Sequence, residues 1–178
     1  MSLELIIGCM FSGKTTKIKE ITNKLQIINA NYIVINSIHN NRNNTINTST
    51  HNSESIQSTS TEYINNVPGL YSYDTIIIDE SQFFNDLYIT VKKLVDEYFK
   101  HVIVIGLNGD INRDNFGDIY RLYPLADNIT LLKAICFTCK DGTDAIFTKK
   151  INSNNNLIEV GGNDKYIALC RKCYLNKI

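Results

Sequence analysis

Short runs of consecutive apolar residues alternate along this chain with stretches in which apolar residues recur every three or four positions. The runs are Leu3 to Ile7, Tyr32 to Ile35, Asp74 to Glu80 ("DTIIIDE"), His101 to Gly106 ("HVIVIG") and Asn128 to Ile135 ("NITLLKAI"). A continuous apolar run predicts a strand buried on both faces, as in a parallel sheet. Between the first two runs, Gly13 to Asn29 sets Ile18, Ile21, Leu25 and Ile28 on one stripe. Phe84 to Phe99 does the same with Leu87, Val91, Leu94, Val95 and Tyr98 facing inward, and Asn115 to Tyr123 offers a shorter helix. Strands alternating with amphipathic helices predict right-handed crossovers and an α/β fold, a parallel sheet with helices on both faces. Ligands in such folds lie beyond the carboxyl ends of the strands, so the loops after Ile7, Asp79 and Ile105 are expected to converge on a site. From Ser37 to Asn66 the chain is nearly all Asn, Ser and Thr, which predicts a long mobile loop or loose hairpin.

The first strand runs directly into Gly8 to Thr15, "GCMFSGKT", which fits G-x-x-x-x-G-K-[ST] between a strand and a helix. Glycines let backbone N–H groups curl round phosphates, and the following helix adds its positive end. The pattern casts Gly8, Cys9, Met10, Phe11, Ser12 and Gly13 as the phosphate loop of a nucleoside triphosphate site. Lys14 reaches the β- and γ-phosphates, Thr15 offers a hydroxyl to Mg²⁺, and Thr16 adds a phosphate contact. The strand ending "IIIDE" supplies the partner acid: Asp79 suits Mg²⁺, and Glu80, pointing elsewhere, suits the acceptor, since a hydroxyl acceptor needs a positioned base.

Four of five cysteines form two C-x-x-C knuckles, Cys136 with Cys139 and Cys170 with Cys173. At that spacing each pair can give two thiolates to one tetrahedral ion, and a closed four-sulfur site predicts structural Zn²⁺. Cys9 is left over. It is read as a small side chain filling a tight turn, against the alternative of a reactive thiol at a helix N-terminus. The division expected is a nucleotide-binding domain over residues 1–133 and a zinc-binding domain over 134–178.

Composition narrows the function. Eighteen Lys and Arg are balanced by 18 Asp and Glu, so a sustained grip on nucleic acid is not expected. No apolar run approaches the roughly 20 residues of a membrane span, and a cytoplasmic protein without membrane attachment is expected. The remaining rivals are an ATP-driven nucleic-acid-binding module and a non-catalytic nucleotide binder. Charge balance argues against the first, and intact Lys14, Thr15, Asp79 and Glu80 against the second.

The segments "GCMFSGKTT", "IIIDESQFF", "GLNGDINRDNFGDIYRLYPLAD", "CFTC" and "EVGGNDKYIALCRKCY" together resemble the type II thymidine kinases, the zinc-containing class, over Leu3 to Tyr174. The resemblance implies a P-loop, RecA-like α/β fold with a small zinc-ribbon domain carrying a lasso loop, and transfer of the γ-phosphoryl of ATP to thymidine. It makes Glu80 the base at the 5′-hydroxyl. Met10, Phe83, Leu107 and Phe116 line the thymine site, Tyr166 lies near the sugar, and Leu157, Ile158, Glu159, Val160 and Gly161 meet the base edge through backbone groups. It further implies dTTP feedback and a homotetramer. Three positions depart from the family pattern: Cys9 replaces a common Pro, Ile111 an aromatic residue, and Asn40 an acid in the loop before Arg42. Arg113 matches a basic residue after the fourth strand.

Overall fold

The computed structural model describes residues 1–39, 47–49, 55–151 and 165–176. The chain opens with β1 (Ser2–Gly8), α1 (Lys14–Ile27) and β2 (Tyr32–Ser37), followed by β3 (Asn47–Ser49), β4 (Ser55–Gln57) and β5 (Thr59–Thr61). Then come β6 (Thr75–Ile78), α2 (Leu87–Asp96), β7 (His101–Gly106) and β8 (Asn128–Leu132). Six strands make one sheet in the order β5-β2-β6-β7-β1-β8, and every pair in it is parallel.

The pleat sorts the apolar residues of each strand to alternate faces. Leu3, Leu5, Ile7, Ile33, Ile35, Ile76, Ile78, Val102 and Val104 pack with Leu87, Val91 and Leu94 of α2. On the other face Ile6, Val34, Ile77, Ile103 and Ile105 pack with Ile18 of α1, while Ile21 and Leu25 cover the flank. Helices therefore cover both faces, as the continuous apolar runs require. Each such side chain taken fully out of water contributes about 1.5–3 kcal/mol.

Beyond the sheet lie β9 (Ala134–Ile135), β10 (Asp144–Ala145), β11 (Phe147–Lys150), β12 (Tyr166–Leu169) and α3 (Arg171–Leu175). β9 pairs with β10 and β11 with β12, both antiparallel. This cysteine-bearing module has its own small core, in which Ala134, Cys136, Ala145, Ala168, Leu169 and Cys170 pack round Cys9 of the loop between β1 and α1. No helix among the described residues is long and apolar enough to cross a membrane.

Several elements differ from the sequence expectations. Helix α1 stops at Ile27, and Ile28, expected on the core stripe, is 70% exposed. The chain turns there because Asn29 adopts a left-handed φ of 51° and Ala30 N–H reaches back to Leu25 O. α2 begins at Leu87, not Phe84, and ends before Tyr98, which is solvent-exposed. The expected helix at Asn115 to Tyr123 is instead a 3-10 helix over Ile119–Leu125, containing Pro124, whose missing N–H cannot extend an α-helical ladder. The last apolar run breaks at Lys133: β8 ends its pairing with β1, and Ala134 crosses to β10. Within the polar segment, β3 and β4 form an antiparallel pair, while β5 joins the edge of the main sheet beside β2. Asn40 and Arg42 lie outside the described residues.

Candidate active site

The loop from Gly8 to Gly13 is held by packing as much as by its glycines. A Cβ on Gly8 would collide with Ser12 Oγ and lie 2.7 Å from Leu132 O, so only Gly allows β8 and the loop to close this tightly. Gly13 takes a left-handed φ of 86° at the start of α1. Phe11 is also left-handed at 66°. Cys9, Met10 and Ser12 are buried, Phe11 and Thr16 exposed, and Lys14 and Thr15 half-buried. Lys14 Nζ donates to Gly8 O at 3.1 Å and Cys9 O at 2.8 Å, so its charge lies along the inner wall of the loop.

Asp79 and Glu80 follow β6, two strands from β1, with β7 between them. At the usual ~4.8 Å between strands, the phosphate loop and Glu80 leave the same sheet edge roughly 10 Å apart. Both acids are buried, at 5% and 9% exposure. Asp79 Oδ1 accepts the Glu80 amide at 2.8 Å, and Glu80 itself has a left-handed φ of 48°. The Glu80 carboxylate meets Gln82, whose Nε2–H donates to Glu80 Oε2 at 2.7 Å.

Beside Gln82 stand Phe83 and Phe116, in edge-to-face contact at 5.5 Å, and His39 lies 6.4 Å from the Phe83 ring. Leu107, at the end of β7, donates its amide to Gln82 Oε1 at 3.1 Å. Thus Glu80, Phe83, Leu107 and Phe116 come together in one place.

The cysteine module is bonded to this edge. Thr148 Oγ1 accepts the Met10 amide at 3.0 Å, and the Cys9 thiol points to Ala145 O at 3.4 Å. Asn108 Nδ2 donates to Ile146 O, and Tyr174 OH to Ile111 O at 2.6 Å. The Arg113 guanidinium stacks 4.8 Å from the Tyr174 ring, which ties the loop after β7 to the module. Burial pushes the Cys9 thiol up, which agrees with the small-filler reading and against a reactive thiolate. A cavity of about 450 Å³ opens at the junction, lined by Phe11, Ala134, Ile135, Phe137, Tyr166, Ile167 and Ala168. It includes Tyr166 but neither Glu80 nor Lys14.

Cys136, Cys139, Cys170 and Cys173 place their sulfurs within 4.8 Å of one another. Burial works to raise the Cys136 thiol, but the amides of Cys170, Cys139 and Thr138 outweigh it and hold it down to about 6. The sulfurs of Cys139 and Cys170 push Cys173 up to about 12. Four sulfurs so close cannot all ionise without a cation among them, and the set is compatible with structural Zn²⁺.

A sequence model of the thymidine kinase family matches residues 1–174. The chain belongs to the thymidine kinase family. It is 41% identical to the thymidine kinase of Amsacta moorei entomopoxvirus over 99% of both chains. It is 36% identical to that of fowlpox virus strain NVSL, over 98% of this chain and 97% of the relative. The vaccinia virus (strain Western Reserve) thymidine kinase is 33% identical, over 98% and 97% respectively. In this member of the thymidine kinase family, Leu157 to Gly161 lie outside the described residues. Reading the sequence missed Gln82, Asn108 and Thr148. Gln82 alone carried a signal, standing two residues after Glu80 in a polar turn between buried segments; the other two are joined to the site only by tertiary contacts.

Proposed function

We propose that this chain transfers the γ-phosphoryl group of ATP to the 5′-hydroxyl of thymidine, giving dTMP and ADP, with deoxyuridine as a second acceptor. The observation that carries the reading is the common sheet edge: the phosphate loop with Lys14 and the buried Glu80 leave strands separated only by β7.

In this reading the amides of the Gly8 to Gly13 loop other than that of Met10, which Thr148 holds, take the triphosphate tail together with Lys14 and the hydroxyls of Thr15 and Thr16, in a loop whose glycines admit close approach. Thr15 and Asp79 are the residues that would hold Mg²⁺, which when bound supplies positive charge to the phosphoryl oxygens. Glu80 accepts the proton of the 5′-hydroxyl as that oxygen attacks phosphorus. Met10, Phe83, Leu107 and Phe116 enclose the base, Tyr166 flanks the sugar, and residues 157–161 meet the base edge. Little covalent chemistry is asked of the protein; positioning and charge neutralisation do the work.

The four cysteines would hold Zn²⁺ in a structural role, which keeps Thr148, Ala145 and Ile146 against the nucleotide loops. By the resemblance, dTTP inhibits by feedback and the working form is a cytoplasmic homotetramer; the five unpaired cysteines suit a reducing compartment. Incubation with Mg-ATP and each nucleoside in turn tests the reading. Thymidine-dependent ADP release supports it; release that depends on single-stranded DNA, or on no acceptor, overturns it.

A further inference from the structure

Between the acid at the end of β6 and the loop after β7 lies one buried amide side chain that the proposed reaction does not itself employ. Gln82, 4% exposed, sits in the 3-10 turn Ser81–Phe83. Its Nε2–H donates to Glu80 Oε2 at 2.7 Å and its Oε1 accepts the Leu107 amide at 3.1 Å. The orientation of the amide is dictated by chemistry: the Leu107 N–H can only donate, so it must meet Oε1, which leaves Nε2 for the carboxylate.

We infer that Gln82 is a positioning residue that holds the Glu80 carboxylate in its working rotation and locks it to the wall of the nucleoside pocket; this rests on the reading of Glu80 as the base. Two close approaches keep Gln82 in place. A Cβ on Gly106 would lie 2.8 Å from Gln82 Oε1, and one on Gly117 would collide with the Gln82 backbone carbonyl. The end of β7 and the loop after it thus pack closely against this residue. Glu80 sits on a left-handed backbone, so its side-chain direction is set by φ and needs a second restraint at the carboxylate end. Gln82 supplies that restraint with a donor to an ionisable group, among the stronger hydrogen bonds available to a neutral side chain. Being uncharged, it orients the carboxylate without adding a cation beside it. Because the same amide carries Leu107, the base and the pocket wall shift together or not at all.

Steady-state kinetics of Gln82→Met, alone and combined with Glu80→Gln, test this. Methionine keeps the length and loses both hydrogen bonds. Displacing the base should lower kcat for thymidine by about 10- to 100-fold, with the KM for ATP within about 3-fold of wild type, since the phosphate loop is untouched. In the Glu80→Gln background the same substitution should cost less than about 3-fold more, because residues that act through one group do not add. Losses that multiply, or an unchanged kcat in Gln82→Met, would overturn the inference. If Gln82→Met does not fold, Gln82→Asn decides: it stays neutral but is one methylene too short to bridge Glu80 and Leu107, so its kcat should fall while the KM for ATP stays near wild type. Wild-type kcat in Gln82→Asn also overturns the inference. Should Glu80→Gln alone turn over like wild type, the base assignment is what has failed; should it be impaired and the losses multiply, only the role of Gln82 has.

Discussion

Thr148 of the cysteine module and Met10 of the phosphate loop are joined by a 3.0 Å hydrogen bond, 138 residues apart in sequence, with both groups buried. The Met10 amide is therefore committed to the module, and the curvature of the loop is set from outside the main sheet. Thr148→Val keeps the shape and strands that amide. Leaving one buried donor unmade costs about 1–3 kcal/mol, so urea unfolding should show a loss of that size, while Thr148→Ser should recover most of it.

Removal of metal should act at a distance. If the four cysteines hold zinc, Cys173→Ser should lose the single zinc that a chromogenic chelator releases from the unfolded wild type. Structural zinc contributes on the order of 10 kcal/mol to folding such a module, enough to order β9 to α3. Since Thr148, Ala145 and Ile146 bond to Met10, Cys9 and Asn108, nucleoside-dependent turnover should fall together with zinc content. Full turnover in a metal-free variant would break that link.

Cys9 should be inert. Burial raises its thiol, so at pH 8 the thiolate is scarce in the folded protein and appears only as pH climbs beyond the ordinary thiol range. Iodoacetamide at pH 8 should label Cys9 in the zinc-loaded protein far more slowly than after unfolding, read by mass spectrometry of the peptide. Rapid labelling of the folded chain would contradict the packing described.

Gly117 adopts a φ of +61° and lies against the Gln82 carbonyl so closely that a Cβ has no room. Gly117→Ala combines left-handed strain with a backbone collision. It should lower stability by about 1–3 kcal/mol from the backbone alone. Thermal melting checks this; an unchanged midpoint would mean that the loop after β7 does not rest on Gln82.

Much of the fold was legible because the parallel sheet writes itself as uninterrupted Ile, Leu and Val runs. The alternation of Ile6, Val34, Ile77 and Ile103 against Ile7, Ile35, Ile76 and Val104 follows from the pleat alone. The strand–loop–helix form round Gly8 to Gly13 and the convergence of the two C-x-x-C pairs were legible for a different reason: the patterns that predict them have fixed local spacing. What could not be read depends on partners far away in sequence. β5, "TST", is a strand only because β2 offers an edge to pair with. Thr148 looks like any β-branched strand residue until it meets Met10. The end of α2 before Tyr98 and the exposure of Ile28 show the same limit, since periodicity continues past a helix end that backbone turns decide.

The central claim is that Glu80 receives the proton of a nucleoside hydroxyl poised against a triphosphate held by Lys14 and its loop. It is tested most directly by thymidine-dependent ADP release from Mg-ATP, compared between wild type and Glu80→Gln at matched thermal stability. Loss of one preorganised contact of this kind typically costs about 10²–10³ in kcat, and a drop on that scale or larger is the result predicted. Turnover by Glu80→Gln equal to that of wild type would contradict the account.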